Sequence, residues 1–185
     1  MNYTEKEYWI KAEKSFEILH ACAGCKRKQS FVNTGCFRVN ANGNKLDVWL
    51  IYQCQKCRHT LNIPIFERIS PSNLEKELYE KFLENNAGLA EEYGKSFSFF
   101  KSKKFEVDLS TATIVLCDEN GNADECETCT NADRIVVHND SGLKLKNEKL
   151  IAMVLKISRS AAKKLIEENK ISLTAESSAV IIEFI

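Results

Sequence analysis

Two Cys-x-x-Cys pairs, Cys22-Ala-Gly-Cys25 and Cys54-Gln-Lys-Cys57, stand twenty-eight residues apart and constrain this chain more than anything else in it. The spacing lets both sulfurs of a pair face one metal ion while the backbone N–H groups turn toward them. Two such pairs supply the tetrahedral four-sulfur set of a closed structural zinc site. The intervening residues read as a hairpin, so the expectation is a zinc ribbon with Cys22, Cys25, Cys54 and Cys57 as ligands. An iron–sulfur centre or plain buried thiols are the alternatives. Four sulfurs complete the set and leave no open position for water, which argues against a catalytic metal. His20 and His59 flank the pairs and read as neighbours rather than ligands. Four thiolates around a divalent ion leave a local charge of about −2. Lys26, Arg27, Lys56 and Arg58 stand where they can offset it.

The formal net charge is zero, but the charges are segregated. From His20 to Arg68 eight basic residues face Asp47 and Glu67. From Phe105 to Ser141 nine acidic residues face Arg134 alone. From Leu143 to Lys170 eight basic residues face Glu148, Glu167 and Glu168. Basic blocks around an acidic middle suit a polyanion partner, or balance one another as solvated surface. The start, Met-Asn-Tyr-Thr-Glu-Lys-Glu-Tyr-Trp-Ile, lacks the pattern of a signal peptide. The longest apolar runs, such as Leu150–Leu155, are too short to span a bilayer. Cytoplasmic placement without a membrane partner is therefore expected. There, eight cysteines point to metal ligation before disulfides.

Catalytic motifs are missing. Gly88 to Ser96 imitates a P-loop but has five residues between its glycines instead of four, and a helix in place of the preceding strand. The three histidines lie far apart, so no enzyme is expected. Cys126-Glu-Thr-Cys129 could be half of a second metal site, completed by Cys117 and His138, or a redox pair. Asp124, Glu125 and Glu127 raise the thiol pKa values, which favours an acidic loop with inert cysteines.

Residues 7–22 read as extended chain and 29–68 as a β-meander. Asn42-Gly43 is set for a type I′ turn. The near-continuous apolar run in Lys45–Cys54 predicts a strand buried on both faces. Ser72-Asn-Leu-Glu75 predicts a capping box opening a helix over 73–84. Shorter helices follow over 86–103, where Phe97, Phe99 and Phe100 meet the sheet. Strands at 113–117 and 134–138, helices at 147–156 and 158–169, and strands at 171–173 and 180–185 complete the reading.

The stretch Phe37-Arg-Val-Asn-Ala-Asn-Gly-Asn-Lys-Leu-Asp-Val-Trp-Leu-Ile-Tyr-Gln-Cys54, continued by Cys57-Arg-His-Thr-Leu-Asn62, resembles the bacterial domain-of-unknown-function family 1062. That resemblance implies a bacterial source and a zinc-ribbon-like start, with no established activity. Asn147 to Ile171, with its Ser158-Arg-Ser160 turn, resembles the S-four-type RNA-binding module of a small-subunit ribosomal protein. The resemblance implies a helical hairpin with Leu150, Ile151, Val154 and Leu155 inward and Ser158 as N-cap of the second helix. Lys156, Arg159, Lys163, Lys164 and Lys170 would then face a phosphate backbone.

The resulting expectation is an α+β chain with a zinc-ribbon β domain over 1–70, a helical connector over 71–104, and an α+β domain over 105–185 built on the S-four-like hairpin with short strands. Its expected function is non-catalytic binding of structured RNA, ribosomal RNA included. The rival is a protein–protein adaptor that binds no nucleic acid.

Overall fold

The structure, a computed structural model, describes residues 4–122, 132–176 and 178–185. In chain order the elements begin β1 (Glu5–Ala12), β2 (Ile18–Cys22), β3 (Arg27–Asn42), β4 (Lys45–Cys54) and β5 (Thr60–Ile69). A 3₁₀ turn at Pro71–Asn73 leads to α1 (Lys76–Leu83), α2 (Ala87–Lys95), α3 (Phe97–Ser102) and β6 (Glu106–Val107). Then come β7 (Ile114–Cys117), β8 (Arg134–His138), α4 (Asn147–Val154), α5 (Arg159–Glu167), β9 (Ile171–Ala175) and β10 (Ala179–Phe184).

The chain divides into two compact units, Ala12–Thr113 and the pair Met1–Lys11 with Ile114–Ile185. The first holds a five-stranded sheet of order β5-β4-β3-β2-β6. Pro64 lies in β5, at the sheet edge, where a missing N–H costs least. Asn42 pairs with Lys45, and Gly43 alone at this turn has positive φ (61°). That is the type II′ pattern, with glycine first, rather than the expected I′. Strand β4 alternates fully buried Leu46, Val48, Leu50 and Tyr52 with half-buried neighbours. Its apolar run thus covers one core face, not two, and the aromatic helices supply that core. Phe100 meets Tyr52 at 5.8 Å and Phe16 at 6.5 Å between ring centroids, and Phe37 stands edge-on to Phe82 at 4.8 Å.

The capping box is not formed. Helix α1 starts at Lys76, with Glu75 as its N-cap and no side-chain cap, while the Ser72 hydroxyl bonds to the Ser70 hydroxyl. Pro71 at the front favours the tight 3₁₀ turn, which uses up the residues that a box would need.

Strand β3 slips register between Asn33 and Phe37. At this bulge the Asn33 amide donates to the Ala90 carbonyl (2.8 Å) and to the Ser15 hydroxyl (2.9 Å), tying α2 to the sheet. Gly94 sits beneath the same contact. A Cβ there would meet the Ser15 hydroxyl well inside contact distance and the Asn33 amide nitrogen at 2.5 Å. Gly94→Ala is expected to cost about 1–3 kcal/mol, as overpacking does, read as a lower denaturant midpoint. A midpoint equal to wild type would show that α2 can lift away freely.

The second unit holds a sheet of order β7-β1-β8-β10-β9. Strand β1 runs parallel to β8, with Glu5 opposite Arg134 and Trp9 opposite His138. Tyr8, Ile10, Ile135, Val137 and Ile182 bury one face against Leu150, Ile151 and Val154 of α4 and Ala162 of α5. The Ser158 hydroxyl accepts from the Ala161 N–H at 3.1 Å and caps α5, as the sequence predicts.

This architecture corrects the expected α+β fold with a dominant C-terminal hairpin. Among the described residues strand outweighs helix, 41% against 25%, in two sheets. The hairpin α4–α5 is a partial cover on a five-stranded sheet. The reason is the far-sequence strand β1, which widens what would otherwise be a few short C-terminal strands.

Candidate metal centre

Strands β2 and β4 end at Cys22 and Cys54, and each strand end turns into a knuckle. The Lys26 N–H returns to the Cys22 carbonyl at 2.8 Å, and the Arg58 N–H returns to the Cys54 carbonyl at 2.9 Å. Both closing residues take left-handed backbone, φ 56° and 62°. Pairing of Cys22 with Arg27 and of Phe31 with Cys54 brings the two turns together. The four sulfurs lie within 4.8 Å of one another. Cys22 Sγ is 3.4 Å from Cys57 Sγ, and Cys25 Sγ is 3.9 Å from Cys54 Sγ. A disulfide needs about 2.05 Å, whereas tetrahedral sulfurs at about 2.3 Å from zinc stand about 3.8 Å apart. The cage therefore fits a four-coordinate metal ion, and its thiols are free.

Without a metal the thiols are unequal. Burial pushes the Cys54 thiol up, but the backbone N–H groups of Cys57 and Lys56 and the thiols of Cys22 and Cys57 together bring it down to about 7. The bond with the Cys57 thiol, helped by burial, pushes Cys25 up to about 12. A metal ion that binds here must displace protons from Cys25 and Cys57, whose thiols are both pushed up. Gly24 is required by packing: a Cβ there would lie 2.9 Å from Cys57 Sγ. His20 turns its ring to Phe31 and Phe105, and His59 is exposed, with its carbonyl accepting from the Cys54 N–H. Neither belongs to the cage.

The chain matches the family model described as a protein of unknown function (DUF1062) over residues 39–177, more than half of its length. The chain belongs to the DUF1062 family. The match takes in Cys54 and Cys57 and begins after Cys22 and Cys25. It does not confirm the S-four resemblance of the C-terminal segment. No curated protein and no solved structure matches the chain significantly. Among the described residues no helix is long and apolar enough to cross a membrane.

The other sites singled out in this DUF1062 chain fall as follows. Cys117 is buried at the end of β7, and Cys126 and Cys129 lie outside the described residues. His138 stacks on Trp9 at 4.6 Å and bonds to Glu7 at 2.8 Å. The P-loop look-alike lies largely within α2, with Gly94 spent on packing.

The basic residues of the C-terminal segment separate into two groups. Arg159 and Lys163 line an open cleft of about 350 Å³ together with Lys146, Lys149, Ser160 and Glu148. Lys164 and Lys170 instead converge on Glu168, at 3.6 and 2.7 Å, and the Lys170 ammonium holds that carboxyl below its usual range. Lys156 is exposed in left-handed backbone after α4. Sequence reasoning missed Lys146 and Lys149 as members of the site. Their signal was available: both belong to the basic block, Lys146 as the N-cap of α4 and Lys149 in its first turn, beside the Ser158-Arg-Ser160 turn once the hairpin closes.

Proposed function

We propose that this DUF1062 chain is a non-catalytic cytoplasmic zinc protein that binds structured RNA through the cleft between α4 and α5. The observation that carries this reading is the cleft lining, where four cations face a single carboxylate. Arg159, Lys146 and Lys149 have no carboxylate partner among the described residues, and Lys163 has only an exposed contact with Glu167 at 3.5 Å. Orphan N–H groups at the first turn of α5 add partial positive charge beside Arg159 and Ser160. Such a concave, cationic and solvent-open surface suits phosphate oxygens displayed by folded RNA. Zinc is the metal proposed because a closed cage of four thiolates is its common structural site and leaves no coordination position for chemistry.

The test is binding of purified, zinc-loaded protein to a structured RNA and to duplex DNA at two salt concentrations. The four phosphate contacts of the cleft alone should make affinity fall at least about a hundredfold between 50 and 200 mM salt. Arg159→Glu/Lys163→Glu should bind at least about a hundredfold more weakly, since two contacts are lost and two repulsions gained. Binding that is absent, or identical in the variant, would discard the RNA reading and leave the adaptor function, to be pursued as a nuclease-resistant protein complex.

A further inference from the structure

The two knuckles present a second concentration of positive charge, in the other unit. Lys26, Arg27, Lys56 and Arg58 are all exposed, and each lies within two residues of a cage cysteine. Left-handed backbone alone does not mark them, because Arg68, Lys104 and Lys156 adopt it elsewhere. Their lack of partners does. Lys28, next along the chain, is tied to Glu106, and Lys76, Lys81 and Lys95 each hold a glutamate one turn away. None of the four knuckle cations pairs with a carboxylate among the described residues.

Compensation of the thiolate cage does not use them up. A divalent ion in four thiolates leaves about −2, so four cations leave a surplus of about +2 at this surface. The surface also opens to solvent at the cage itself. Cys22 and Cys54 are buried on the strand side, while Cys57 is exposed and Cys25 half-buried on the knuckle side. Uncompensated cations on a rigid, exposed turn are suited to a polyanion, because a folded metal cage holds their backbones in place before the ligand arrives.

We propose that Lys26, Arg27, Lys56 and Arg58 form a second phosphate-contacting surface, so that nucleic acid is bound by both units of the chain. This rests on the reading of the protein as an RNA binder, and the experiment separates the two. Two double variants of the full zinc-loaded chain are compared with wild type on a labelled RNA hairpin across a salt series: Arg27→Gln/Lys56→Gln and Lys26→Gln/Arg58→Gln. Metal content is measured on each preparation. The expected result is one metal per chain in the variants, affinity reduced about tenfold or more, and a salt slope shallower by about 1.5, one increment for each lost contact. Unchanged affinity and slope with metal retained would overturn the second surface and leave the α4–α5 cleft standing. Loss of metal in both variants would overturn it too, by assigning these cations to holding the cage together. Wild-type protein that fails to bind the hairpin would overturn both proposals at once.

Discussion

Cys54→Ala is expected to give a chain that is insoluble or carries no metal. Cys54 is fully buried at the end of β4, and its thiol is brought down to about 7. Alanine removes that thiolate and leaves three sulfurs, two of them accessible to solvent. Structural zinc supplies on the order of 10–16 kcal/mol in zinc-finger peptides, comparable with or above the whole stability of a domain, about 5–15 kcal/mol. Losing a large share of it should open both knuckles, because what else ties them is a few backbone bonds, Lys26 to Cys22, Arg58 to Cys54, Cys54 to His59 and Gln55 to Ser30, and the strand ends beside them. Elemental analysis and limited proteolysis check this. Cleavage is expected around residues 22–28 and 54–60 in the variant alone. Cys36→Ala is the control, since Cys36 is exposed and outside the cage. A Cys54 variant that remains folded, proteolytically resistant and fully metallated would remove the metal centre as the organising element of the ribbon.

The cage was legible from sequence because its chemistry is local. Two short knuckles and a hairpin between them suffice, and Asn42-Gly43 marks where that hairpin turns. Helical periodicity likewise placed α4 and α5, and Ser158 was recognisable as a cap because capping depends on the next three residues. What escaped was non-local. Nothing in Glu5–Ala12 says that it will run parallel to β8, more than a hundred residues on, with Trp9 opposite His138. The fold class was misjudged at that point, since a local reading sees the strands near the hairpin and not the one inserted among them. The burial of β4 was misread for a related reason. Trp49 and Ile51 look like core residues by composition, but the helices cover only the face of Leu50 and Tyr52. The charges of the hairpin were visible, but not their division. Glu168 takes up Lys164 and Lys170, so Arg159 and Lys163 stand with Lys146 and Lys149 instead.

The covered face of β4 also sets the second large effect. Phe100→Ala is expected to destabilise the ribbon unit by about 3–5 kcal/mol, the usual cost of deleting a buried phenyl ring. Phe100 has no exposed surface and touches Phe16, Tyr52 and Phe99. Phe16 and Tyr52 are already joined, since the Tyr52 hydroxyl donates to the Phe16 carbonyl at 3.1 Å. Burial raises the Tyr52 phenol well above its usual range, so that bond persists through neutral and mildly alkaline pH. Removing the ring leaves a cavity beside a buried hydroxyl and frees α3 from the sheet. Tyr52 lies two residues before Cys54 on β4, so the loosened strand is the one that carries a cysteine of the cage. In a denaturant titration, loss of far-ultraviolet circular dichroism and release of metal to a chromogenic chelator should therefore shift together to a lower midpoint. Phe100→Leu, which refills most of the space, should recover more than half of the loss. If stability falls by less than about 0.5 kcal/mol, within the range of a tolerated surface change, α3 is not part of the core that supports the cage. If the fold weakens while metal release stays at its wild-type midpoint, the knuckles hold their metal independently of the sheet behind them.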